Sequence, residues 1–205
     1  MISRLSCVLI AAALANAQII EFESNGLKYQ TLTRNAVTVM FATLPTHIHE
    51  YSIIQVAVSN GAQGPVVIRP EDFTFERTEG AAIKATPARD VVGELIAKGN
   101  RGDVIKLVST YEMALFGMSR MRPTNGYEAR RQQYLAEVSS AKIKAAAAAS
   151  AVALVQTKLA AGQSTDGAVF FSSEGKPLGA GRLVMRNSAG EYQFNHDDGE
   201  TGKRN

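Results

Sequence analysis

The sequence predicts a mostly β protein with an α insertion. In this α+β fold a β-sandwich of about seven to eight strands is interrupted by a subdomain of two to three helices, one of them long. Two blocks of alternating or β-branched apolar residues, 27–85 and 166–194, flank a stretch whose apolar residues recur at helical spacing. Glycine, proline and asparagine punctuate the outer blocks, whereas residues 127–161 contain none of the three. With 45% hydrophobic and 20% charged residues over 205 positions, the chain can bury one sizeable core. The expected organisation is a signal peptide at 1–17, sandwich at 18–87, helical insertion at 88–161, sandwich again at 162–195, and a disordered polar tail at 196–205.

The chain opens with one cation, Arg4, then an unbroken apolar or small run from Leu5 to Leu14, then Ala15-Asn16-Ala17. That order is the signature of a secretory signal cut after Ala17, and the run is too short to span a bilayer. Cys7 lies too near the front of the run to be a lipidation site, because no apolar stretch precedes it. It is the only cysteine. The exported chain, periplasmic or extracellular, therefore has neither disulfides nor a thiol nucleophile. Loss of Arg4 lowers the formal charge from +3 to +2, which is too small an excess for a nucleic-acid partner.

In the first strand block, Leu27–Leu32 alternates, Arg34-Asn35 turns, and Ala36–Phe41 returns as a hairpin. Pro45 is expected to break that strand. Tyr51–Ser59 is the clearest strand, closed by Asn60-Gly61. Val66–Arg69 and Phe73–Glu76 follow on either side of Pro70, and Ala82–Ala85 pairs back.

From Pro87 the period becomes helical. Val91, Val92, Leu95 and Ile96 define one helix, and Val104, Leu107, Val108, Tyr111 and Leu115 a second, with Asn100–Gly102 separating the two and Asp103 expected to cap the second. Asn125 and Glu128 form a capping pair for a third helix, about Gly126 to Leu159 and roughly 50 Å long at 1.5 Å per residue. Its seam is alanine-rich. Ala141, Ala145, Ala148 and Val152 are the candidate self-association residues, because small side chains let either the earlier helices or a second copy approach closely. Met118, Arg120, Met121, Arg122, Tyr127, Arg130 and Arg131 are the candidate partner-binding residues, since these cations gather near the positive end of a helix dipole, where they are not stabilising. No membrane span is expected in the exported chain: Lys144 and Lys158 bracket too short a run.

Strand pattern then resumes. Asp166–Phe171 is an apolar strand, and Arg182–Arg186 pairs with Glu191–Phe194. The strand Ile53–Asn60, the following Arg69-Pro70-Glu71-Asp72-Phe73-Thr74-Phe75, and the late Gly162–Phe171 together resemble exported bacterial immunoglobulin-like domains of unknown function. The resemblance covers both strand regions but not residues 88–161. It implies a sandwich fold and carries no catalytic residues.

Among chemical motifs, His47-Ile48-His49-Glu50 alone has local ligand chemistry. Residues two apart in extended chain point to one side, so His47 and His49 can grip a metal ion, with Glu50 or His196 completing the shell. The competing expectation is an exposed loop after Pro45. No serine sits in a Gly-x-Ser-x-Gly turn, and Glu71-Asp72 and Asp197-Asp198 point to opposite sides in a strand. Gly175–Gly181 leads into a strand rather than a helix N-terminus, so no phosphate loop and no cofactor are expected. The functional expectation is a non-enzymatic interaction or structural module of the cell envelope, binding a protein partner or itself through the helical insertion. The alternative is a metal-dependent or hydrolytic enzyme built on His47 and His49.

Overall fold

A computed structural model describes residues 18–118, 121 and 140–197. Seven strands come first: β1 (Ile20–Ser24), β2 (Leu27–Arg34), β3 (Val37–Ile48), β4 (Tyr51–Asn60), β5 (Val66–Ile68), β6 (Phe73–Arg77) and β7 (Ile83–Thr86). Helices α1 (Ala88–Lys98), α2 (Arg101–Gly117) and α3 (Ala141–Val152) follow. The chain closes with β8 (Thr157–Leu159), β9 (Ser164–Ser172), β10 (Gly181–Asn187) and β11 (Gly190–His196). Nine strands form one antiparallel sheet in the order β1-β2-β3-β4-β9-β7-β6-β10-β11, and β5 pairs with β8.

The sheet curls until β11 returns to β2. Gln30 Nε2 donates to Asn195 O at 2.8 Å, Arg34 Nη1 to Glu191 O at 3.0 Å, Asn35 Nδ2 to Ala189 O at 2.8 Å, and Tyr192 OH to Arg34 O at 2.8 Å. Curling gives the sheet an inner and an outer face, and both are apolar. Ile54, Val56 and Val58 of β4 point inward with Phe41, Phe75, Phe171 and Phe194, whereas Tyr51, Ile53 and Ala57 point outward beneath the helices. Nine of the ten β4 residues are buried, which is why its sequence reads as a nearly continuous apolar run. Each of the inward aliphatics stabilises the fold by about 1.5–3 kcal/mol.

The helical layer covers the outer face of β2, β3, β4 and β9. Asn100 Oδ1 accepts from the Gly102 and Asp103 amides, and Asp103 Oδ2 accepts from the Asn100 amide at 2.8 Å, a reciprocal cap that starts α2. On α3, Ala145, Ala146, Ala148, Ala149 and Ala151 are buried, and their small side chains let α1 and α2 lie close. The end of α2 presses on the sheet: Tyr29 OH donates to Ala114 O at 3.0 Å, and Gly117 lies flat against the Tyr29 ring.

The fold is β-rich α+β, as expected, with the opening and closing strand blocks joined in one sheet by β4 and β9. Three local expectations are corrected. The long helix does not reach Leu159: α3 ends at Val152, and positions 126–139 lie outside the described residues. Sheet pairing takes over there, because Leu154 N donates to Ala168 O at 2.8 Å and both Leu154 and Leu159 enter the inner core. Pro45 does not break β3, which continues to Ile48 through a bulge between Thr43 and His47. His196, expected in the polar tail, belongs to β11 and packs edge-on to Phe75, and positions 198–205 lie outside the described residues. The edge strand β1 and the short β8 were not predicted.

Candidate functional site

The turn between β3 and β4 carries the histidine cluster, and its geometry pulls the cluster apart. His47 sits in β3 opposite Ser52, whereas His49 occupies the turn with φ of 51°. A residue in that left-handed conformation no longer follows the alternation of a strand, so the two rings take different partners. His47 Nδ1 and Ser52 Oγ lie 3.1 Å apart. His49 Nε2 lies 3.1 Å from Asp103 Oδ2, and because a carboxylate only accepts, that ring nitrogen carries the proton. Glu50 uses its carbonyl oxygen to accept from the amides of Ser173 and Gly175 at 2.8 and 3.2 Å. Among the described residues, no group of three His, Cys, Asp or Glu side chains is arranged to hold a metal ion.

What the cluster does instead is join three parts of the fold. Ser52 Oγ, buried, is 2.8 Å from Ser173 Oγ and donates to Lys176 O at 3.1 Å, which fastens the loop after β9 to the hairpin. The His49 link ties the same hairpin to the cap of α2. Beside it, burial, and then the carboxylates of Glu94 and Glu50, push the Tyr51 hydroxyl well above the usual tyrosine range, so it stays a donor.

A second polar group lies beneath the helices. Asp166, in the middle of the sheet on β9, is 1% exposed, and its Oδ2 accepts from Tyr111 OH at 2.7 Å and Gln55 Nε2 at 3.2 Å. The contact anchors α2 to the sheet. The sequence places Asp166 at the start of this strand but does not mark it as buried; the available signal was a carboxylate on the same strand face as Ala168 and Phe170.

The predicted contact residues fare differently from one another. Met118 and Met121 are 2% and 7% exposed, filling the space between helices and sheet, so they are packing residues rather than an offered surface. Arg120, Arg122, Tyr127, Arg130 and Arg131 lie outside the described residues. Ala145, Ala148 and Val152 are buried against α1 and α2 of the same chain, whereas Ala141 is exposed. The apolar side chains that do face outward were not singled out: Ile105 is 59% and Phe116 71% exposed on α2, and Ile96 on α1 and Ile143 on α3 are also exposed.

The outer face of β6, β10 and β11 is a charged ladder. Glu76 pairs with Arg182 at 3.0 Å and Arg186 at 2.9 Å, and Arg186 pairs with Glu191 at 2.7 Å. Arg186, then Gln193, hold the Glu191 carboxyl below its usual range. The charges are mutually satisfied.

No helix among the described residues is long and apolar enough to cross a membrane. No protein-family model matches the chain, and no curated relative matches it. Among solved structures it is similar to a candidate lipoprotein of Bacillus subtilis, at 12% identity and a TM-score of 0.38, over 82% of this chain. The similarity spans 38% of that protein's chain.

Proposed function

We propose that the protein is an exported, non-enzymatic interaction module of the bacterial envelope or exterior, and that its helical layer binds a second copy of the same chain. The curled sheet is the rigid support in this reading. The observation that carries it is the outward stripe of α2, where Ile105 and Phe116 stand 59% and 71% exposed. They are eleven residues apart, close to three helical turns, and so share one face. Crossing two α2 helices antiparallel about their midpoint lays each Ile105 on the opposing Phe116, the self-complementary arrangement that a two-fold dimer requires. Export rests on the leader pattern at residues 1–17, and the envelope setting on the resemblance to exported immunoglobulin-like domains.

Sedimentation velocity over a concentration series tests the reading. The expected result is a monomer–dimer equilibrium that the double substitution Ile105→Asp and Phe116→Asp abolishes while the far-ultraviolet circular dichroism is unchanged. A strict monomer at every soluble concentration overturns it.

A further inference from the structure

The sheet has two ends, and they are treated differently. The β11 edge is closed by Gln30 and Arg34, whose side chains take up two of its carbonyl groups, and by Asn35, which takes up the Ala189 carbonyl in the turn before it. Among the described residues the β1 edge carries no such cover. Among the described residues its backbone pairs only with β2, in an unbroken register from Ile20↔Thr31 to Ser24↔Leu27, and four of its five residues are exposed. Folded proteins usually guard an open edge with lysine, proline or a bulge, because its unpaired amides and carbonyls are a template for another strand. β1 has none of these three, and its only charges are Glu21 and Glu23.

Its side chains define what fits. Ile20 and Phe22 share one face, where Phe22 stacks on the Tyr29 ring at 5.0 Å, the ring on which the end of α2 rests. Glu21 and Glu23 share the other face. Glu23 stands opposite Lys28 on β2, yet neither glutamate forms an ion pair among the described residues. A second copy of β1 is the wrong occupant. Antiparallel self-pairing by a two-fold axis keeps like faces together, so the centre falls on a residue. Centred on Glu21 or Glu23, that glutamate opposes itself; centred on Phe22, Glu21 opposes Glu23 twice; centred on Ile20 or Ser24, only that single residue of each five-residue strand overlaps. Like charges directly opposite destabilise a pair of strands.

We infer that the free edge of β1 accepts an extended segment of a partner protein whose side chains alternate apolar and basic. The apolar residues lie beside Ile20 and Phe22, the basic ones beside Glu21 and Glu23, and main-chain hydrogen bonds supply affinity, as in other strand-addition complexes. This surface is a backbone edge, distinct from the outward face of α2 although the end of α2 touches β1.

The test is a titration of isotope-labelled protein with two synthetic peptides of equal length, one alternating valine and lysine, the other valine and glutamate. The valine–lysine peptide is expected to shift the amide signals of Ile20–Ser24 and slow their hydrogen exchange, with about tenfold preference over the valine–glutamate peptide. The double variant Glu21→Lys/Glu23→Lys, which alters exposed side chains only, is expected to reverse that preference. Unmoved β1 amides, equal affinity for both peptides, or a dimer formed through β1 each overturn the inference. Because the readout is confined to residues 20–24, it is independent of whether α2 drives self-association.

Discussion

Adding one methyl group at Gly167 should weaken the fold, although the backbone there carries no left-handed strain that would demand glycine. In an open strand, glycine to alanine is favourable by roughly 0.5–1 kcal/mol through lost chain entropy. The surroundings reverse the sign. A Cβ at Gly167 would sit 2.5 Å from both Cα and N of Leu154 and 3.0 Å from the carbonyl carbon of Ala153. These are main-chain atoms, and they cannot swing aside as a flexible side chain can. Relief requires the segment leaving α3 to lift, which breaks the bond from Leu154 N to Ala168 O and drags Leu154 out of the inner core. Overpacking costs about 1–3 kcal/mol and the hydrogen bond about 1 kcal/mol, so after the entropic gain the net expected loss is about 1–3.5 kcal/mol. Equilibrium urea unfolding followed by circular dichroism measures it. Gly93→Ala is the control, because that Cβ meets nothing within 4 Å in α1 and should raise stability by about 1 kcal/mol. If Gly167→Ala unfolds at the same or a higher urea concentration than the parent, the close passage of Leu154 over β9 is wrong.

Tyr111→Phe leaves the buried Asp166 short of a donor and should cost about 1–3 kcal/mol in the same assay, whereas Tyr111→Ala adds a cavity and costs more. Burial raises the hydroxyl pKa of Tyr29, Tyr51 and Tyr192. Because the folded values exceed the unfolded ones, their contribution is complete below the ordinary tyrosine range and is lost as pH rises through it. Alkaline absorbance titration should therefore show these three ionising late, together with the loss of circular dichroism. For Glu191 the sign is opposite: its lowered pKa contributes stability above the usual carboxylate range that is lost on acidification, and Glu191→Gln should flatten the acid limb of the stability profile.

Much of the sheet was legible because its strands carry their burial in their own residues. Tyr51–Asn60 and the β10–β11 hairpin announce themselves by composition and turn chemistry, whereas the sequence points to Asp103 as the α2 cap and the structure gives that position to Asn100, with Asp103 completing the box. The end of α3 was not legible. Alanine has high helix propensity and no preferred face, so nothing local marks Val152 as the last turn; pairing with Ala168 decides it. Three-residue β8 is too short for any period to appear. The histidine pair misled for a related reason, since its same-side geometry holds only in regular extended chain and His49 is the turn. Helical spacing located α2 but not its outward side, because Leu115 and Phe116 are adjacent apolar residues and only packing distinguishes the half-buried one from the exposed one.

The placement of β9 beside β4 sets the order in which this molecule can come together. Gln55 and Asp166 bond across 111 residues, so the central strand of the first block waits for a neighbour that is made late. A chain emerging N-terminus first has its most apolar strand ready while the other half of its cover is still missing. Such long-range pairing makes for slow folding and leaves exposed apolar surface for other factors to shield.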